Sequence, residues 1–242
     1  YQSRAYLIYM ARHSIKSRKQ DPITVIIPAA GEGRRMKSYG PKSLIRLTKE
    51  SVLERQIRVI TKIIDNVNFV IVTGFECDKL MESCPDYFIK LENENYKITN
   101  VSRSISIALR AVKTERALII YGDLVFNEKA LSKMDYSRSC TSARNDEFRQ
   151  SEVGCIIDAS GNMTNMMYDL DTKWSQIVYL DGKELSLFKK ISQEKKSKKM
   201  FGFEILNKVI DCGGKIKCIV DDSIEVIDID TSKDLLRANN IE

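Results

Sequence analysis

The order of elements predicts an α/β fold, with parallel βαβ units first, a mixed, β-rich insertion next and a closing αβα segment last. Three observations predict it. Short apolar runs at residues 23–27, 69–72 and 117–121 are each bounded by turn residues, as in strands buried on both faces. Segments with helical apolar spacing lie between them, which fits right-handed crossovers. Beyond residue 123 the pattern changes, and hairpin signals replace the crossovers.

The elements follow in chain order. Residues 23–27 form a β-branched strand between Pro22 and Pro28, and the loop Ala30-Gly31-Glu32-Gly33-Arg34-Arg35-Met36 comes next. Ser51-x-x-Glu54 is a capping box that opens a helix with Leu53, Ile57, Ile60 and Ile64 on one face. Residues 69–72 make a second strand that ends at Thr73-Gly74, and 87–91 a third. Residues 102–112 read as a helix through Ile105, Leu109 and Val112, and the strand at 117–121 ends at Gly122-Asp123. Residues 153–158 and 162–168 flank Ala159-Ser160-Gly161 as a hairpin, and 176–180 is a further strand. A helix at 203–210 stops at Gly213-Gly214. A strand at 225–229 precedes a last helix capped by Thr231-x-x-Asp234.

Composition narrows the function. The 242 residues hold 39 Lys+Arg and 33 Asp+Glu, a net charge of +6. Two segments account for the excess. Residues 1–20 hold five basic residues and no acid, and residues 189–199 hold six lysines against Glu194. Each segment carries +5, so the remaining 211 residues carry −4. Nucleic acid is therefore disfavoured as a partner of the main body. No apolar run reaches the roughly 20 residues of a membrane helix, and the six cysteines form no Cys-x-x-Cys pair. They read as reduced thiols of a cytoplasmic protein. Residues 1–21 are expected to be a basic helical arm or the end of a preceding segment, with a partner of its own that the sequence leaves unknown. The domain is expected to span 22–242.

The one histidine, His13, lies in that arm. A Ser-His-Asp triad or a His-rich zinc site cannot be built from the main body. Any metal there needs oxygen ligands, which favours Mg²⁺.

The chemistry concentrates in Pro28-Ala-Ala-Gly-Glu-Gly-Arg-Arg-Met36 and the following Pro41-Lys42. A glycine-rich turn after a buried strand lets backbone N–H groups approach phosphate oxygens. Arg35 offers a planar fork to a triphosphate, and Lys42 a mobile point charge. The loop lacks Gly-Lys-Ser/Thr, and Met36 stands where a dinucleotide-binding loop has its third glycine.

Gly31-x-Gly33-x-Arg35-Met36 with Pro41-Lys42 resembles the signature of the sugar-phosphate nucleotidyltransferases and related cytidylyltransferases. The resemblance extends to element order over about residues 22–242. It implies a Rossmann-like three-layer α/β/α fold with a mixed, mostly parallel central sheet and a small β-rich insertion. It implies an NTP on the first loop, at Ala30, Gly31, Gly33 and Arg35, with Lys42 on the reacting phosphates. Thr73 and Gly74, at a strand end, are expected to line the nucleotide site. Asp123 matches the family's metal-binding aspartate, and Asp228-Ile-Asp230 its second metal position. Alternating strand residues share a face, so Asp228 and Asp230 both stay candidates. Asp169 and Asp171 are expected in a solvated loop.

The acceptor is less defined. The Glu-Lys-Pro element usual in sugar-phosphate members is absent, and residues 165–174 stand in its stretch. Tyr168 and Trp174, with the two nearby aspartates, can form a cage for an ammonium group. Trp174 as a plain core aromatic is the competing reading. The stretch 100–106, including Ser104 at the start of a helix, resembles the choline-phosphate branch. The expected reaction is Mg²⁺-dependent transfer of an NMP from an NTP to a small phosphorylated acceptor, choline phosphate-like or a sugar 1-phosphate, releasing pyrophosphate. Two alternatives stand beside it: a glycosyltransferase of related fold using a nucleotide sugar, and a non-catalytic nucleotide-binding module.

Overall fold

The apolar runs of the sequence form the centre of a nine-stranded mixed sheet in the computed structural model, which describes residues 22–33, 39–145 and 152–241. The basic arm, His13, Arg34, Arg35 and Met36 lie outside the described residues. Strands β1 (Ile23–Pro28), β2 (Val67–Thr73), β3 (Ile89–Glu92) and β4 (Arg116–Ile120) are parallel and stand in the order β4-β1-β2-β3. Every residue of β1 is buried, as expected for a strand covered on both faces. The crossovers run through α1 (Val52–Ile63), α2 (Cys77–Ser83) and α3 (Val101–Ala111). The capping box on α1 forms as read: the Ser51 side chain accepts from the Glu54 backbone, and the Glu54 carboxylate accepts from Ser51 N–H at 2.6 Å.

The second half is more mixed than its sequence pattern suggests. It contains β5 (Leu124–Phe126), α4 (Lys129–Ser132), β6 (Cys140–Asn145), the hairpin β7 (Val153–Ile157) and β8 (Met163–Tyr168), and β9 (Thr172–Asp181). Then come α5 (Gly182–Ser192), α6 (Gly202–Asp211), β10 (Lys217–Val220), β11 (Val226–Asp228) and α7 (Ser232–Ala238). The strand expected at 176–180 is twice that length and enters the main sheet antiparallel, between β4 and β6. The strand expected at 225–229 never joins that sheet. As β11 it pairs antiparallel with β5 in a separate two-stranded ribbon. The sequence pattern did not reveal β6, because its residues are small and polar; its Thr141 hydroxyl donates to Ile177 O at 2.6 Å inside the core.

Alternation along the strands builds the three layers. Val25 and Ile27 face Leu53 and Ile60 of α1 and Leu80 of α2. Ile26 faces the opposite layer, Ile105 and Leu109 of α3, Phe188 of α5 and Leu206 of α6. A smaller cluster (Ile45, Val52, Val125, Ile229 and Ala238) ties the β5–β11 ribbon to α1 and α7. Lys195, Lys196, Lys198 and Lys199 are exposed on a short 3-10 turn, as a solvated charge run should be. All six cysteines are free, and no helix among the described residues is long and apolar enough to cross a membrane.

One glycine fixes how the sheet meets the loops above it. A Cβ on Gly122 would lie 2.6 Å from Ser43 Oγ and 2.8 Å from Ala29 Cβ. That space is used: Ser43 Oγ donates to Gly122 O at 2.7 Å, and Gly122 N–H donates to Pro28 O at 3.1 Å. Gly122→Ala over-packs this junction and is expected to lower stability by about 1–3 kcal/mol. An earlier urea midpoint at unchanged slope would record it.

Candidate functional site

Three chain segments meet at the carboxyl ends of β1 and β4, where open α/β sheets bind their ligands. After β1 the loop is anchored on both sides: Ala29 N–H donates to Val72 O, and Ala30 O accepts from Phe75 N–H. Gly33 adopts φ +53°, and its missing Cβ leaves room for the Lys42 stem at 3.1 Å. Gly31 faces open space, with nothing within 4 Å of where a Cβ would sit. The 3-10 turn Lys42–Leu44 is held to Gly122 through Ser43, which brings Lys42 beside Asp123.

The β5–β11 ribbon supplies the other side. Asp228 pairs in register with Leu124, and Ile229 N–H donates to Asp123 O at 3.1 Å. Residues about a hundred positions apart thus become neighbours. Lys42 Nζ lies 2.7 Å from Asp230, 2.9 Å from Asp123 and 3.7 Å from Asp228. Burial works to lower the Lys42 pKa, but the charges of Asp123 and Asp228 and the hydrogen bonds to Asp230 and Asp123 outweigh it and raise it. Burial, then the charge of Asp123, pushes Asp228 up to about 8, against the opposing pull of Lys42. Asp228 Oδ1 is buried and makes no hydrogen bond.

These oxygens suit a hard divalent cation. Among the described residues no three such side chains are gathered as a preformed metal cage; the Lys42 ammonium stands at their centre. Mg²⁺ needs no such cage, since it is usually bound through one or two carboxylates together with substrate phosphates. Asp228 Oδ1, buried without a hydrogen bond and 3.7 Å from Lys42 Nζ, suits such a ligand.

Two cavities open on the cluster. One, about 310 Å³, is lined by Ala30 and Gly31 of the first loop, by Asn93 and Tyr96, and by Asn100 and Ser104 of the α3 start. The other, about 330 Å³, is lined by Tyr168, Trp174, Phe201, Phe203, Lys173 and Arg237 among others. Tyr121, Gln176, Phe201 and Asp228 line both. Lys173 is paired with Glu152 at 2.7 Å, and Arg237 lies 3.9 Å from Asp234. The second cavity is thus aromatic, and its cations are matched by carboxylates.

A profile of the MobA-like NTP transferase domain matches residues 25–146. The chain belongs to the MobA-like NTP transferase family. Bifunctional protein GlmU of Francisella tularensis is 28% identical over 102 residues, 42% of this chain. The matched stretch is 22% of that relative's length. Among solved structures, the fold is shared with CTP:phosphocholine cytidylyltransferase (LicC) of Streptococcus pneumoniae. The TM-score is 0.73 at 17% identity, over 90% of this chain and 98% of that one. Inositol-1-phosphate CTP transferase of T. maritima matches at TM-score 0.73 and 16% identity, over 91% and 98%. A UDP-glucose pyrophosphorylase matches at 0.73 and 13%, over 90% and 97%. The Rossmann-like α/β/α architecture of this chain is the one these proteins share.

Within that fold the residues singled out from sequence separate into three groups. Ala30, Gly31, Gly33, Lys42, Asp123, Asp228 and Asp230 come together around the cluster and the first cavity. Ser104 lines the same cavity, with its hydroxyl accepting from Asn93 at 3.1 Å, and so lies away from Tyr168 and Trp174. Thr73 is fully buried and donates to Leu91 O, and a Cβ on Gly74 would meet Ala30 O at 2.8 Å. Gly74 thus packs against the first loop at Ala30, while Thr73 bonds to β3. Trp174 fits both of its readings: it is buried, donates to Thr141 Oγ1 at 2.8 Å, and still walls the second cavity. Tyr168 is exposed and meets Phe203 edge-on. Asp169 and Asp171 are exposed in a loop, as expected. Arg35 lies outside the described residues.

The sequence reading missed Tyr121, Gln176 and Phe201. Tyr121 had one faint signal, its place just before Gly122-Asp123. Its hydroxyl accepts from Gly202 N–H, and burial raises its pKa. Gly202 is required there, because a Cβ would fall on the Tyr121 hydroxyl.

The Asp228 shift has a sign that can be checked in the metal-free protein. A carboxyl at about 8 when folded and near 3.9 when unfolded makes the folded state bind more protons between those values. Stability then falls as pH rises from about 4 to 8. Asp228→Asn is expected to flatten that fall and to raise the melting temperature at pH 7. Calorimetry across that range in the presence of a chelator measures both.

Proposed function

We propose that residues 22–242 act as one nucleotidyltransferase domain, moving an NMP from an NTP to a small phosphorylated acceptor and releasing pyrophosphate. The observation that carries this is the meeting of two cavities at a cluster of one ammonium and three carboxylates. The glycine loop and the α3 N-terminus bound the nucleotide side, where N–H groups and the helix dipole favour phosphate. Arg35, next along that loop in sequence, holds the leaving pyrophosphate. Asp123, with Asp228 or Asp230, holds Mg²⁺, which when bound neutralises phosphate charge.

An acceptor phosphate oxygen attacks the α-phosphorus of the NTP. The bond from that phosphorus to the bridging oxygen breaks, and pyrophosphate leaves with the electron pair. The acceptor phosphate, with a second pKa near 6, already carries the nucleophilic oxygen at neutral pH, so no side-chain base is required. Lys42 acts as a fixed charge, since its raised pKa keeps it protonated. The aromatic faces of the second cavity, where the Lys173 and Arg237 charges are matched by carboxylates, favour an acceptor bearing an ammonium group over a neutral sugar. The free thiols fit a reducing, cytoplasmic setting.

Pyrophosphate release from each of four NTPs, against choline phosphate, aminoethylphosphonate and sugar 1-phosphates with Mg²⁺, tests the assignment. Turnover is expected with an ammonium-bearing acceptor and is expected to vanish with chelator. Asp123→Ala and Arg35→Ala are each expected to reduce kcat/KM about 100-fold or more; unchanged turnover would sink the site assignment. Tyr168→Leu is expected to raise the acceptor KM several-fold, by about 0.5–2 kcal/mol of lost cation–π contact, with the NTP KM unmoved.

A further inference from the structure

Gln176 sits in the middle of β9 with φ +61°, a left-handed conformation that a side chain with a Cβ rarely adopts. The pairing of β9 with β6 breaks here. Thr141 faces Val178, but Ala143 faces Trp174, so β9 spends three residues, Ser175 to Ile177, opposite the single Ser142 of β6. On the other side Ile177 is the last residue paired to β4, just before Tyr121. Gln176 therefore projects where β9 leaves β4 and its pairing with β6 is interrupted.

The bend is fastened from behind by a buried hydroxyl network. Thr141 Oγ1 accepts from Trp174 Nε1 and donates to Ile177 O. Ser142 Oγ and Ser175 Oγ lie 2.7 Å apart, and Ser175 Oγ accepts from Ile177 N–H. Thr141, Ser142 and Ser175 are at most 4% exposed. Strain that surrounding contacts hold in place is a mark of function when it aims a side chain into a site.

This one is aimed into a site. Gln176 lines both cavities, and its carboxamide makes no hydrogen bond to any described residue. Three other residues line both cavities. Phe201 is apolar, Asp228 is a carboxyl group, and the Tyr121 hydroxyl is buried against Gly202. Gln176 alone of the four carries N–H donors. We propose that the Gln176 carboxamide donates to the acceptor's phosphate and orients its attacking oxygen toward the α-phosphorus, a role that rests on the nucleotidyl transfer proposed above. A neutral donor suits the place, because it steadies an anion beside three carboxylates without drawing their charge away.

The test compares wild type with Gln176→Gly, which removes the amide and relieves the backbone, and Gln176→Glu, which sets a negative charge against the phosphate. KM values for NTP and acceptor are measured separately, using whichever acceptor wild type turns over. Gln176→Gly is expected to raise the acceptor KM about tenfold or more, and Gln176→Glu more again, with the NTP KM within about twofold of wild type. The melting temperature of Gln176→Gly is expected to be no lower than wild type, since glycine adopts this φ freely. An unchanged acceptor KM in Gln176→Gly, or an NTP KM that rises equally, overturns this role while leaving nucleotidyl transfer standing. Wild type that releases no pyrophosphate from any pair overturns both together.

Discussion

Three carboxylates and one ammonium share a small volume at the end of the central sheet, and the surrounding backbone is arranged to keep them there. Like charges this close repel unless a cation or a proton intervenes. Lys42 supplies the cation within 3 Å of Asp123 and Asp230, and Asp228 responds by holding its proton up to about 8. Glycine 122 permits the close approach, Ser43 ties Lys42 to it, and the β5–β11 ribbon brings Asp228 and Asp230 across from the far end of the chain.

The rest of the cleft takes its shape from that point. The first loop and the start of α3 enclose a polar cavity on one side, and an aromatic cavity backed by carboxylates lies on the other. Both end at the cluster, and the proposed nucleotidyl transfer rests on that meeting. The distribution of net charge fits this division. The main body outside the two basic segments is slightly acidic, and the cations at the cleft, Lys42, Lys173 and Arg237, each lie beside a carboxylate.

Much of the first half was legible in sequence because its signals are local. A strand buried on both faces must be continuously apolar, a helix start must satisfy its N–H groups, and a tight loop needs glycine where the backbone turns left-handed; 23–27, Ser51-Glu54 and Gly33 show each in turn. The second half was read less fully because its strands are stabilised by what they meet. β6 is a run of small polar residues whose hydroxyls find partners only on β9. β11 carries an ordinary strand pattern, yet which sheet it joins depends on β5, three residues long and invisible to periodicity.

By itself the sequence determined the α/β class, the glycine-rich loop after β1 and the exclusion of histidine chemistry in the main body, since these follow from residue type and short spacing. It also named the carboxylates, but it could not put them together. Only the tertiary structure decided that Lys42 sits among Asp123, Asp228 and Asp230, that Gly74 packs against the first loop at Ala30, and that Ser104 and Tyr168 face different cavities. It alone revealed Gln176, whose backbone conformation is imposed by a register shift between β6 and β9 and leaves no trace in the order of residues. Contacts between residues a hundred positions apart are set by strand pairing, and strand pairing is a property of the folded chain as a whole.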